Sequence, residues 1–307
     1  MTDKRVYYGG QAVLEGVMIR GPRTIAVACR RPEGDITVHT EALGGVYSGP
    51  VRRFPLLRGA IVMWETLALG IRALIFSSNV ALGEEEKGVD SGAMKATAFV
   101  SLVLVAGLFF VLPLVATDWL EDAVGNHLAV IVIEGLFRLA LIIAYVGLIG
   151  LMPDVRRVYQ YHGAEHKTIH AMEHGDPLEP VHIQKYPTAH VRCGTSFLLT
   201  VVVVSIIVFA LVGDPHIWLR IASRVVLIPV IAAISYEVIR LGGAFEQNPI
   251  THVLMWPNLA LQSLTTRQPD DEQVEVAVRA LEEVLAAEEA LGTPTDVRAA
   301  EAAPPVD

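Results

Sequence analysis

Residues Thr97 to Thr117 read TAFVSLVLVAGLFFVLPLVAT, 21 positions without a formal charge. As a helix, that length crosses the roughly 30 Å hydrocarbon core of a bilayer. Pro113 lies near the far end, where a membrane helix tolerates a kink. Three more runs follow. Leu128 to Met152 is 25 residues long and carries only Glu134 and Arg138, four apart and so able to pair on one helix face. Cys193 to Val212 is uncharged and too long for the buried strand that its valines and isoleucines would otherwise favour. Ile217 to Ile239 carries Arg220, Arg224 and Glu237 towards its ends, where charges can snorkel, and Pro229 in its middle. A fifth apolar stretch, Ala60 to Phe76, is short and interrupted by Glu65 and Arg72. It reads as an amphipathic helix lying on the membrane or packed on the bundle.

The whole composition agrees with these runs. Of 307 residues, 52% are hydrophobic and 19% charged, and the mean hydropathy is +0.46. Disorder over most of the chain is excluded. Two cysteines cannot staple a fold of this size, and a net charge of −9 argues against nucleic acid as a partner. The expected fold is therefore a membrane α-helical bundle of about four transmembrane helices, with a small N-terminal β-rich cytoplasmic unit and a C-terminal amphipathic helix.

Lys and Arg placement orients the bundle. Asp118 to His127 has neither residue, whereas Arg156, Arg157, Lys167, Lys185 and Arg192 lie between the second and third spans, and Lys4, Arg5, Arg52, Arg53 and Arg58 precede the first. Both termini and the middle segment are expected in the cytoplasm, in a multi-pass inner-membrane protein. The first 20 residues lack the apolar core of a cleavable signal. A reducing compartment would keep Cys29 and Cys193 as thiols.

The chain divides into a β-rich unit at 1–58, an amphipathic helix and polar loop at 59–95, a bundle at 96–243 enclosing a His-rich segment at 153–195, a helical segment at 244–291 and a disordered tail at 292–307. In the first unit, 24–29 and 35–39 flank Pro32-Glu33-Gly34 as a hairpin. The glycine-punctuated stretch from Gly9 to Gly21 lacks the Gly-Lys-Ser/Thr ending of a phosphate loop. It reads as strand, turn and bulge, or as a loop that brings Glu15 and Arg20 to a site. Asp270 and Asp271 can cap a helix to about Leu291, with Val274, Val278, Leu281 and Leu285 on its apolar face. Asn248-Pro249 and Trp256-Pro257-Asn258 read as turns.

Six of the ten histidines fall between the second and third spans, and His162, His166, His170 and His174 recur every four residues on a helix that Asp154 starts and Gly175 ends. Residues four apart lie one above the other, so His162 and His166 can offer imidazoles to one ion; each further step drifts about 40°, which takes His174 out of line. His162-x-x-Glu165-His166 is the inverted zinc-protease order, in which two histidines bind Zn²⁺ and the glutamate activates water. The bland reading of the same pattern is His and Glu solvating an exposed helix. His190-Val-Arg-Cys193 adds a second histidine–thiol cluster, and His162, His166, His190 and Cys193 together make a Zn²⁺ ligand set. Otherwise Cys193 is a small buried residue and His190 an interfacial one. Glu165 would be the general base, and Lys167 or Arg192 would stabilise developing negative charge.

Three stretches carry a resemblance. Gly9-Gly10-Gln11-Ala12-Val13-Leu14-Glu15-Gly16-Val17-Met18, His162-Gly163-Ala164-Glu165-His166-Lys167 and His190-Val191-Arg192-Cys193-Gly194-Thr195 together resemble the bacterial YqhQ-like family, a membrane domain of unknown function labelled a predicted metal-dependent enzyme. The resemblance runs from about Tyr7 to Glu283 without departure at those motifs, and it implies a metal but no substrate. Bound zinc, hydrolysis at the cytoplasmic membrane surface and a lipid-linked or membrane-protein substrate form the leading expectation. A membrane assembly factor with a structural metal, and a transporter with Glu134 and Arg138 in its path, are the alternatives.

Overall fold

The computed structural model describes residues 8–44, 57–83, 91–190, 193–213, 216–244 and 249–292. Four antiparallel strands form the N-terminal sheet in sequence order: β1 (Gly9–Val13), β2 (Gly16–Arg20), β3 (Thr24–Arg30) and β4 (Ile36–Ala42). Gly34, at φ +99°, closes the β3–β4 hairpin in backbone space that glycine enters at no steric cost. Val17, Ile19, Ala26 and Ala28 point to one face of the sheet, and Met18, Ile25, Val27 and Cys29 to the other. Both faces are covered, so β2 and β3 read as unbroken apolar runs instead of alternating ones.

Helix α1 (Leu57–Ala81) covers one face, through Leu69, Ala73 and Val80. The chain then enters the apolar bundle with α2 (Ser91–Ala106), a π turn (Gly107–Val111), α3 (Leu112–Thr117), α4 (Leu120–Val124) and α5 (His127–Ile149). Outside it lie α6 (Pro153–His174) and α7 (Pro180–Ile183). The chain returns as α8 (Ser196–Val212), α9 (Ile217–Val226) and α10 (Ile228–Ala244), and ends in α11 (Pro249–Thr265) and α12 (Asp271–Ala290).

Arg58–Ala81, Phe99–Thr117 and His127–Ile149 are long and apolar enough to cross a membrane, and α9 with α10, bent by 48°, makes a fourth if counted as one span. The bend falls at Leu227, two residues before Pro229, which cannot donate a helical hydrogen bond. Phe99, Leu104, Leu211 and Val226 are among the large apolar side chains left exposed, a surface that hydrocarbon covers better than water. Length and composition together support membrane association. The third apolar run yields only a 17-residue helix, because Cys193 sits in a turn before α8.

One expectation is extended and one corrected. The apolar stretch 60–76 belongs to a 25-residue helix that packs on α10 of the bundle as well as on the sheet, and that length and composition also admit as a span. The two charges that interrupt it face the sheet: Glu65 is buried against Arg20, and Arg72 meets Glu41 at 2.9 Å. Trp64, Leu67 and Leu74 are exposed on the same helix. The turn expected at 256–258 is also absent, since α11 continues through Pro257.

The second face of the sheet packs on α6 and α12, joined by Tyr161, Ala164, Ile169, Val274, Ala277, Leu281 and Val284. Asp270 and Gln273 form a reciprocal capping box that starts α12. Its far end is held by buried Glu288, whose Oε1 accepts from the Arg23 and Thr24 amides at 2.7 and 2.8 Å and from the Thr24 hydroxyl at 2.8 Å. Glu288→Ala strands buried donors and should loosen this end by roughly 2–4 kcal/mol. The readout is faster amide exchange across 271–290, with Glu283→Ala as a half-exposed control; unchanged exchange would refute this anchoring.

Candidate metal centre

Helix α6 begins with Pro153 at its first position, carries Asp154 in its first turn and stops at Gly175 in the left-handed region (φ 67°). Its middle, from Tyr161 to Ile169, is largely buried between the sheet and the 265–267 segment that follows α11. Two glycines allow the close approach. A Cβ on Gly163 would sit 2.1 Å from the Arg267 carbonyl oxygen, and one on Gly10 would sit 2.3 Å from the Met18 oxygen and 3.1 Å from Cγ of Glu165.

This packing orients the imidazoles. His162 Nδ1 lies 2.9 Å from the Thr265 carbonyl, His166 Nδ1 lies 2.5 Å from the Thr188 carbonyl and His170 Nε2 lies 2.9 Å from the Ala189 carbonyl. A carbonyl only accepts, so each of these nitrogens carries the proton and the opposite one keeps its lone pair. Metal-binding histidines are fixed by the same device. His162 Nε2 then faces Cys193 Sγ at 3.3 Å, close to the separation of roughly 3.5 Å between tetrahedral nitrogen and sulfur ligands of zinc. His162, His166 and Cys193 each present a ligand atom within 4.8 Å of the other two. Burial holds the His166 pKa below its ordinary value, although neighbouring Cys193 raises it, and it pushes His170 down to about 4. Both are thus held as the neutral imidazoles that metals take.

Glu165, at 4% exposure, stands beside the set, 3.7 Å from His166 Nε2. Burial raises its pKa, while His162, His190 and a hydrogen bond from the Gly10 amide pull the other way. Glu165, His162, His166, His190, Cys193, Gln11 and Thr66 all line one cavity of about 330 Å³. An apolar groove of about 560 Å³ runs between α1, α8 and α10 and shares Gln11, Thr66, Cys193 and Gly194 with it.

The other candidate residues fall elsewhere. His190 lies beside the first set, its ring 5.7 Å from that of His166, but its Nε2 turns to Glu173 at 3.4 Å and groups with His170 and Glu173. Lys167 is buried and donates to the Gln184 and Tyr186 carbonyls at 2.9 and 2.6 Å, outside the lining of the cavity. Its expected role next to developing charge would need the amine freed from these two carbonyls. Arg192 lies outside the described residues. His174 is exposed, as the helical drift requires. Glu15 pairs with Arg157 and accepts from the Tyr161 hydroxyl at 3.2 Å, which fastens the β1–β2 turn to α6; neither it nor Arg20 lines the cavity.

Sequence reasoning missed Gln262. Its amide clamps the His190 backbone in both directions at 2.8 Å, linking α11 to the loop before Cys193. A glutamine on an apolar helix carries no periodic signal for such a contact.

The family model described as "Protein of unknown function (DUF1385)" matches residues 54–287. The chain is 36% identical over 297 residues to the "Uncharacterized protein YqhQ" of Bacillus subtilis (strain 168), covering 91% of this chain and 92% of that protein. No solved structure matches.

Proposed function

The chain belongs to the DUF1385 family, and from its own site we propose a membrane-embedded, metal-dependent hydrolase that acts on amphiphiles. The carrying observation is a buried carboxylate, Glu165, in the wall of the same cavity as a preorganised His162–His166–Cys193 donor set. The donor chemistry fits Zn²⁺: two imidazoles and a thiol, with both rings already turned by backbone carbonyls. When bound, such an ion supplies Lewis acidity and makes water nucleophilic near neutral pH. Glu165, raised by burial and steered by the Gly10 amide, is placed to take a proton from water and deliver it to a leaving group.

The adjoining groove supports the substrate class. A scissile polar group would occupy the smaller cavity while an acyl or other hydrocarbon chain lies along Val62, Met63, Phe197 and Ile239. Lys and Arg placement supports a site at the cytoplasmic face of the bilayer. Three protein ligands leave a coordination position open, whereas structural zinc is closed by four. The grouping of His190 with His170 and Glu173 therefore favours the enzyme over an assembly factor with a structural metal.

The test is Glu165→Gln in detergent-purified full-length protein, assayed with zinc on ester and amide amphiphiles in mixed micelles. Turnover should fall by about 10²–10⁴-fold while zinc content is retained. Undiminished turnover in the variant would overturn the role of Glu165.

A further inference from the structure

We propose that the chain binds a second divalent metal ion, on His170, Glu173 and His190, beside but separate from the His162–His166–Cys193 set. A ligand atom from each of these three residues lies within 4.8 Å of the other two. His170 and Glu173 are three apart on α6 and so share a helix face. His190 reaches them from the loop before α8, with its backbone fixed by Gln262.

The geometry favours an ion over a simple hydrogen bond. His190 Nε2 and Glu173 Oε2 are 3.4 Å apart, longer than the roughly 2.7–2.9 Å of a charge-assisted N–H···O contact. Two ligands at zinc-like bond lengths, subtending a tetrahedral angle, stand about 3.4 Å apart. His170 is already oriented: its Nε2 faces the Ala189 carbonyl at 2.9 Å, which leaves the lone pair on Nδ1. Stacking of its ring on Tyr186, at 8° between planes, adds to that constraint.

The two sets differ in chemistry. The first has nitrogen and sulfur donors. The second has two nitrogens and a carboxylate, a combination that also accepts harder ions such as Mn²⁺ or Fe²⁺. The His166, His190 and His170 rings follow one another at 5.7 and 4.5 Å, so two ions would sit side by side along α6. The proposal concerns binding only and stands whatever reaction the first set performs.

Co²⁺ titration of the detergent-purified full chain tests it, with bound metal counted after gel filtration and the thiolate-to-cobalt absorption followed in parallel. Wild type should bind two equivalents. His170→Ala and Glu173→Gln should each bind one and keep the thiolate band, and Cys193→Ser should lose the band while retaining one equivalent. One equivalent in wild type that carries the thiolate band, or two in both His170→Ala and Glu173→Gln, would overturn the second site. If His170→Ala fails to fold, the near-isosteric Glu173→Gln decides alone. Absence of the thiolate band in wild type would instead count against the first set, which keeps the two failures distinguishable.

Discussion

Glu134→Ala should leave little folded bundle. Glu134, Arg138 and Arg224 are each 1% exposed, and the carboxylate accepts from Arg138 at 2.6 Å and from Arg224 at 2.8 Å. Arg138 also donates to the Phe109 carbonyl in the π turn and to the Ser205 hydroxyl, both at 2.7 Å, while Arg224 lies 3.9 Å from the centre of the Phe209 ring. One carboxylate thus ties α5, α8, α9 and the π turn together among apolar helices. Removing it leaves two buried guanidinium groups without their counter-charge, at a cost of about 3–5 kcal/mol, comparable to the whole stability of many domains. Replacing all three residues with apolar side chains of similar volume should restore much of the loss, because burying the charges is itself expensive. Detergent-solubilised yield and thermal unfolding measure both. A well-folded Glu134→Ala protein would show that the network carries no structural load, and the transport reading would regain its footing.

Gly163→Val should disable the site from outside it. The new Cβ would meet the Arg267 carbonyl oxygen at 2.1 Å and Cγ2 of Thr188 at 3.3 Å. The first contact is backbone and cannot swing aside. To relieve it, α6 must move off the 265–267 segment, which breaks the Thr265 carbonyl contact of His162 and the hydrogen bond from the Arg267 amide to the Tyr159 carbonyl. Overpacking of this kind costs about 1–3 kcal/mol, and losing the group that orients a ligand lowers metal affinity by about 10–100-fold. Gly147→Ala is the control, since a Cβ there meets nothing within 4 Å. Wild-type metal affinity in Gly163→Val would show that the close packing does not orient His162.

The two predictions mark how much the sequence could reveal. Long uncharged runs exposed the bundle, because hydrocarbon or a deep core is what accepts 21 mostly apolar residues without a charge, and the i, i+4 spacing exposed the Glu134–Arg138 pair. By position in the sequence Arg224 is an end charge free to snorkel; only the fold carries it inward, to a partner 90 residues away. Helical spacing likewise brought His162 and His166 together and removed His174. Their link to Cys193 was legible as ligand chemistry, yet the assignment of His190 was not. That ring could face either set, and the choice depends on Gln262 and Glu173, which no local pattern connects to it. The role of Gly10 was hidden for a similar reason. A glycine in a strand signals close approach, but the sequence does not say that Glu165 is what approaches.

The central claim is that Cys193 and two histidines of α6 hold one ion. Zinc K-edge absorption of the purified, zinc-loaded chain tests it most directly. The spectrum should contain a sulfur scatterer at about 2.3 Å with nitrogen at about 2.0–2.1 Å, and the sulfur should vanish in Cys193→Ser. A wild-type spectrum with nitrogen and oxygen scatterers alone, or a well-folded wild type that retains no zinc, would contradict the account.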